Sequence, residues 1–196
     1  MNLALFDFDG TITTQDTYTR FLFYATSKTR MVFGWCLMFP VIALYKLKLL
    51  KANKTRPALS RVAFAFRKQT SVTAIAEQFV QEYISKVLRP EMLERIQWHL
   101  AEGDRVIVVS ASLDVYLRIW CKQQGIELLC SELMVHNGRY TGGYVDGDCS
   151  EQNKVKAIKG ALDLNHYPHV YGYGDTYEDL PMLSIAQTRY YQGEVM

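Results

Sequence analysis

Short apolar runs punctuate this chain, and the stretches between them carry apolar residues at helical spacing. Leu3, Ala4, Leu5 and Phe6 form the first run, of the kind expected for a central parallel strand. From there to about Ser85 the spacing is helical, with no strand alternation. Pro90 then opens a predicted helix in which Met92, Leu93, Ile96 and Leu100 recur on one face, with Gly103 ending it. Val106 to Val109 predicts a second buried strand, followed directly by Ser110-Ala111-Ser112. Leu113, Tyr116, Leu117 and Trp120 trace the face of another helix that runs to Gly125, and Ile126 to Leu129 predicts a third strand. Leu133 to Tyr144 reads as a hairpin about Asn137-Gly138, a dipeptide suited to the positive φ of tight turns. A helix over 151–162 follows, then a fourth strand, His169 to Tyr173, ending at Gly174-Asp175, with Asp179 in the next helix. This alternation predicts an α/β fold with a parallel sheet, and 70 or so residues after its first strand are set aside as a helical insertion.

Composition adds little to that picture. At 196 residues, 49% apolar and 21% charged, the chain suits one folded domain with an insertion. Cys36, Cys121, Cys130 and Cys149 lack metal-type spacing, so reduced thiols and a cytoplasmic setting are expected, and no secretory signal opens the sequence.

Charge distribution changes it more. The net charge of +2 conceals a stretch between Asp16 and Glu77 that has no acidic residue and eleven basic ones, which leaves −9 for the remainder. Inside it, Met31 to Tyr45 is uncharged, bears Phe33, Trp35, Phe39 and Pro40, and is followed by Lys46 and Lys48. A membrane span takes about 20 apolar residues, so this run falls short of one unless its flanking lysines snorkel, and it reads as a buried helix, as an apolar substrate channel or as a segment in peripheral contact with an anionic membrane. Such surfaces attract basic segments by about 1 kcal/mol per Lys or Arg. The basic stretch also suits nucleic-acid phosphates, but its long uncharged run fits that partner poorly.

The candidate chemistry sits at strand ends. Asp7 and Asp9 follow the first strand, alternate side chains share a face, and Gly10 lets the backbone turn away. Open α/β sheets bind ligands at such carboxyl ends. A calcium loop starting at Asp7 is excluded, because it needs Gly and Glu where Ile12 and Tyr18 stand. Ser110 is placed to donate to a phosphoryl oxygen, with help from backbone N–H groups at the next helix start, or to cap that helix. Lys154 suits charge neutralisation and Asp175 a second metal carboxylate. His166 and His169, flanking Pro168, read as loop residues. Together these parts supply the positioning and charge compensation that phosphoryl transfer needs.

Asp7-Phe8-Asp9-Gly10-Thr11, Val108-Val109-Ser110-Ala111-Ser112, Lys154, and Gly172-Tyr173-Gly174-Asp175 through Asp179 resemble, in order and spacing, the four motifs of the haloacid dehalogenase superfamily. The likeness is to its phosphoserine-phosphatase-like subclass IB. It implies a Rossmannoid core over 1–15 and 86–196 and a helical C1 cap over 16–85. It also implies Asp7 as the nucleophile forming an aspartyl-phosphate, Asp9 as acid and then base, and Ser110 and Lys154 as catalytic partners. Mg²⁺ would be held by Asp7, the Asp9 carbonyl and Asp175, with Asp179 orienting the metal site or Lys154. Thr11, Asp16, Ser110 and Ala111 are the candidate substrate contacts. Asp16 stands where the phosphoserine-specific pattern has Glu, and Asp-Gly-Thr-Ile followed by Asp16 is similar to the phosphatidylglycerophosphatase C-like branch. The expected substrate is therefore a small or lipid phosphate monoester, handled in the cytoplasm or at the inner membrane face. The alternatives are phosphoserine hydrolysis and a non-enzymatic lipid- or phosphate-binding module; a receiver-type signalling domain would place its phosphoacceptor after a later strand.

Overall fold

The computed structural model describes residues 1–47, 49 and 52–196, except for the side chains of Phe33, Trp35, Cys36, Leu37, Met38 and Lys46. The first strand, β1 (Leu3–Phe6), is fully buried and lies in the middle of a six-stranded sheet of order β3-β2-β1-β6-β7-β8. Its neighbours β2 (Arg105–Leu113) and β6 (Val170–Gly174) run parallel to it, as do β3 (Glu127–Ser131) beside β2 and β7 (Thr188–Tyr191) beside β6. Only the two-residue β8 (Glu194–Val195) is antiparallel. Alternation along β1 feeds two cores. Ala4 and Phe6 pack on one face with Phe8, Tyr116 and Tyr173, whereas Leu3 and Leu5 join Ile107, Val109, Ile158 and Met182 on the other.

Between β1 and β2 every helix is part of one long excursion: α1 (Thr17–Ala25), α2 (Lys28–Lys46), α3 (Ala52–Phe64), α4 (Gln69–Phe79), the short α5 (Ser85–Val87) and α6 (Pro90–Ala101). The chain leaves and returns side by side. Thr13 pairs with Leu88, Thr14 N–H donates to the Val87 carbonyl at 2.8 Å, and Arg89 N–H to the Ile12 carbonyl at 2.8 Å. The hairpin of β4 (Leu133–His136) and β5 (Arg139–Tyr144) turns through Asn137 and Gly138, both at positive φ, as expected. It then packs on the excursion: Phe66 N–H donates to the Tyr140 carbonyl at 2.8 Å and Gln69 N–H to that of Gly138 at 2.9 Å. The remaining helices α7 (Asp114–Gln124), α8 (Gln152–Ala161) and α9 (Leu180–Leu183) cover the sheet.

Three expectations need correction. The second strand runs four residues past Val109, so Ser110, Ala111 and Ser112 are strand residues and α7 starts only at Asp114. Ser110 therefore neither caps that helix nor sits at its N-terminus; Leu113 holds the capping position. The fourth predicted strand is followed by β7 and β8, where Arg189-Tyr190-Tyr191 gave no alternation to read. Asp179 precedes its helix instead of lying within it.

His99, near the end of α6, is fully buried, with Nδ1 2.9 Å from Asp104 Oδ2 and Nε2 2.9 Å from the Tyr173 hydroxyl. Burial holds its pKa below the usual 6.5 despite the opposing pull of Asp104. A folded pKa below the unfolded one means stability that is present above the unfolded value and lost as pH falls from there through the folded value. The stability advantage of the wild type over His99→Asn, read by urea unfolding, is thus expected to shrink as pH falls below about 6.5. A constant or widening gap would contradict the neutral buried imidazole.

Candidate active site

The topology makes the site. From β1 the chain crosses to β2 and β3 on one side and returns to β6 on the other, so the carboxyl ends of β1 and β6 flank a switch point of the kind where open α/β sheets hold ligands. Asp7 follows β1 directly, its N–H donating to the Tyr173 carbonyl at 2.9 Å. The next five residues, Phe8–Ile12, make a loose turn in which Gly10 has φ 84°. A Cβ there would sit 2.1 Å from Asp175 Oδ2, so glycine is required both by the φ and by the approach of Asp175. Arg89 fastens the turn, its Nε donating to the Gly10 carbonyl at 3.1 Å.

Lys154, on the first turn of α8, is 1% exposed. Its Nζ bonds Asp7 Oδ1 and lies 2.7 Å from Asp179 Oδ1. Asp179 Oδ2 in turn accepts from the backbone N–H groups of Asp175 at 3.2 Å and Thr176 at 3.0 Å, and from the Thr176 hydroxyl at 3.0 Å. Oxygens of Asp7, Asp175 and Asp179 lie within 4.8 Å of one another. Three carboxylates against one ammonium leave two negative charges uncompensated, which is the charge of a divalent cation, and an all-oxygen donor set is what a hard cation takes. Both Asp179 oxygens are occupied by donors, so Asp7 and Asp175 are the better placed ligands and Asp179 the group that positions Lys154 and the Asp175 backbone.

Burial pushes Asp7 up, against the pull of Lys154, with Asp179 and Asp9 adding to the rise. Asp175 is raised by burial and by Asp179. Burial raises Asp179 too, but Lys154 and the backbone donors outweigh it and hold its pKa low. Lys154 resists the lowering effect of its own burial because Asp7 and Asp179 hold its proton.

The Asp9 carboxylate belongs to another network and is not part of the three-carboxylate cluster. Oδ1 accepts from the Thr17 N–H at 2.7 Å and from the Thr17 hydroxyl, and Oδ2 from the Ser112 hydroxyl. The Tyr116 hydroxyl backs Thr17 at 2.8 Å. Burial lifts Asp9 to about 6, more than those donors lower it, so it can carry a proton near neutrality.

A cavity of about 710 Å³ joins these groups. Asp7, Asp9, Ser110, Ala111, Lys154, Asp175 and Asp179 line one end. Leu22, Met31, Ile42, Leu59, Val62 and Ala63 of α1, α2 and α3 line the cavity from the helical side, along with Tyr18, Thr19, Arg30, Thr55 and Arg56. Of the sequence-predicted residues, Thr11 is the one it does not reach: the Thr11 hydroxyl donates to Asp175 Oδ1 at 3.2 Å, beside a ligand candidate. Asp16 is on the rim, where it caps α1 by accepting from the Thr19 N–H at 3.1 Å.

Thr17, Tyr116 and Arg56 escaped the sequence. Arg56 on α3 lines the cavity and reaches across to Asp148 at 3.3 Å and Glu178 at 2.9 Å, tying the helical excursion to the loops before α8 and after β6. A buried tyrosine usually pairs its hydroxyl, which was the available signal for Tyr116. Arg56 was hidden among ten other basic residues.

The haloacid dehalogenase-like hydrolase family model matches residues 4–184, and the chain belongs to that family. Among curated proteins it is similar to protein CicA of Caulobacter vibrioides, with 29% identity over 97% of this chain and 85% of that one. It is also similar to a histidinol-phosphatase of Neisseria meningitidis, with 28% identity over 56% of this chain and 52% of that one. The fold matches a crystal structure of a protein of unknown function from Bordetella pertussis Tohama I at a TM-score of 0.81, with 22% identity over 97% of this chain and 89% of that one.

Removing Lys154 would strand buried carboxylates. Lys154→Met is expected to cost about 3–5 kcal/mol in denaturant unfolding, and Asp7→Asn in the same background to recover part of it. Additive losses in the double variant would mean the two side chains are not coupled.

Proposed function

We propose that this hydrolase cleaves phosphate monoesters through an aspartyl-phosphate on Asp7, with Mg²⁺ as cofactor. One observation carries the reading: a nucleophile candidate held by a buried lysine, a two-charge acidic deficit beside it, and a separately raised carboxyl at Asp9 all open on one cavity. The family membership and a relative named histidinol-phosphatase support it.

Asp7, Asp175 and the Asp9 carbonyl would hold the cation, which supplies charge compensation for the transferring phosphoryl group and keeps Asp7 ionised against its burial. Lys154 fixes Asp7 through Oδ1 and shares the charge on the phosphoryl oxygens. The Ser110 hydroxyl donates to one of those oxygens. An Asp7 oxygen attacks phosphorus in line while the bond from phosphorus to the ester oxygen breaks, and Asp9 gives its proton to the departing alkoxide. Asp9, now a carboxylate, takes a proton from water as that water attacks the same phosphorus. The acyl-phosphate P–O bond breaks, and inorganic phosphate leaves with Asp7 restored. A pKa of about 6 suits a group that must do both.

Residues 16–85 act as the cap of subclass IB, reaching Asp9 through Thr17 and the core loops through Arg56. The apolar far wall favours an ester whose alcohol carries an apolar chain over phosphoserine, since the one acidic residue near the expected recognition position, Asp16, is engaged as a helix cap.

Steady-state hydrolysis of p-nitrophenyl phosphate with Mg²⁺ is the direct test. Asp7→Asn is expected to lower kcat/KM by about a thousandfold or more, chelation to abolish turnover, and acid quench to trap phosphate covalently on the wild type alone. Turnover that survives Asp7→Asn would refute the mechanism. In a panel of esters, rising kcat/KM with chain length is expected, and a preference for phosphoserine would refute the substrate assignment.

A further inference from the structure

α2 is 19 residues long, apolar on all sides, and starts with Lys28 and Arg30. A helix of that kind is normally buried all round, and this one is not. Its inner side packs on α3 so closely that a Cβ at Gly34 would meet Val62 Cγ1 at 2.7 Å. Met31, Gly34, Ile42 and Tyr45, which share that side, line the cavity. Val32 and Phe39 lie on another side and are 67% and 60% exposed; Leu47 and Leu49, just beyond the helix, are 68% and 72% exposed. Phe23 and Tyr45, each about half exposed, belong to the cavity wall as well. Among the described residues no helix is long and apolar enough to cross a membrane. The expectations placed on the side chains of Phe33, Trp35, Lys46 and Lys48 lie outside the described residues.

We infer that the outer face of α2, with Leu47 and Leu49, docks on the surface of an anionic bilayer, and that the same helix roofs the substrate cavity with its inner side. Charge decides between occupants. The segment from Arg20 to Lys68 holds eleven basic and no acidic residues, so two copies meeting through this face would set like charges against each other, whereas anionic headgroups complement them. Nucleic acid matches the charge but offers nothing to exposed Val32, Phe39, Leu47 and Leu49. Exposed apolar side chains on a segment rich in lysine and arginine match the interface of a bilayer. The functional consequence rests on the phosphatase reading: docking sets the cavity rim at Phe23 and Tyr45 against the lipid surface, so an ester with an apolar chain reaches Asp7 without leaving an apolar path.

Flotation of the full chain tests it. The protein is expected to float with vesicles of equimolar phosphatidylcholine and phosphatidylglycerol, to remain behind with phosphatidylcholine alone, and to be released by high salt. A triple variant Val32→Glu, Phe39→Glu, Leu47→Glu is expected to lose at least about tenfold in vesicle binding while hydrolysing p-nitrophenyl phosphate like the wild type. Folded wild type that stays behind with the anionic vesicles, or a triple variant that floats as well as the wild type, overturns the inference. So does a wild type that fails to float and whose dimer the triple variant splits, since the face then belongs to a second copy. Asp7→Asn separates the two readings, because it is expected to float normally whether or not it turns over substrate.

Discussion

Everything at the active end of this molecule depends on burying one ammonium between two carboxylates. A lysine that is nearly inaccessible is tolerable only if its charge is answered, and Asp7 and Asp179 answer it from different parts of the chain, 147 and 25 residues away. That condition fixes the spacing of the end of β1, the end of β6 and the start of α8. It also fixes the turn after β1, because Asp175 closes on the backbone at Gly10. The arrangement is over-determined on its inner side and under-neutralised toward the cavity. A group bearing positive charge on one side and a phosphoryl group on the other has its place prepared by that imbalance.

The central strands were readable because both of their faces are buried, so Leu3–Phe6 and Val106–Val109 had to be continuously apolar. Where burial is shared with polar function the signal failed. β2 runs on past Val109 because Ser110 pairs with Cys130 and Leu113 with Ser131 on β3, across an irregularity at Ala111 and Ser112 that composition does not reveal. The edge strands β7 and β8 pair at the margin of the sheet with half their side chains in solvent, so no apolar rhythm marks them. The charged members of the site were legible from motif order, and the structure brings Asp7, Asp9, Ser110, Lys154 and Asp175 to one cavity. Their neutral supporters were not: Thr17 reaches Asp9 and Tyr116 reaches Thr17, through a contact of α1 with α7 between residues about a hundred positions apart.

The cavity has two chemistries because it has two makers. Sheet ends supply carboxylates, an amine and a hydroxyl within a small radius, where charge is expensive and every group is tied to another. Helices α1, α2 and α3 supply a wall in which apolar side chains stand beside Tyr18, Thr19, Arg30, Thr55 and Arg56. Arg56 stands at the seam, a cation from the helical side bonded to two acids of the sheet side. The two sides meet at the Arg56 ion pairs, at the Thr17 bond to Asp9 and where the β4–β5 hairpin packs on the excursion.

The paired neck of the helical excursion has a further meaning. Ile12 to Thr14 and Val87 to Arg89 are hydrogen-bonded neighbours, so the ends of the excursion stay together whatever lies between them. The entropic cost of closing a loop grows only slowly with its length once its ends are joined. This architecture therefore behaves as a socket: helices can be added, lost or exchanged above the neck with little strain below it, and new substrates can be sampled on a chemical machine that does not have to be rebuilt.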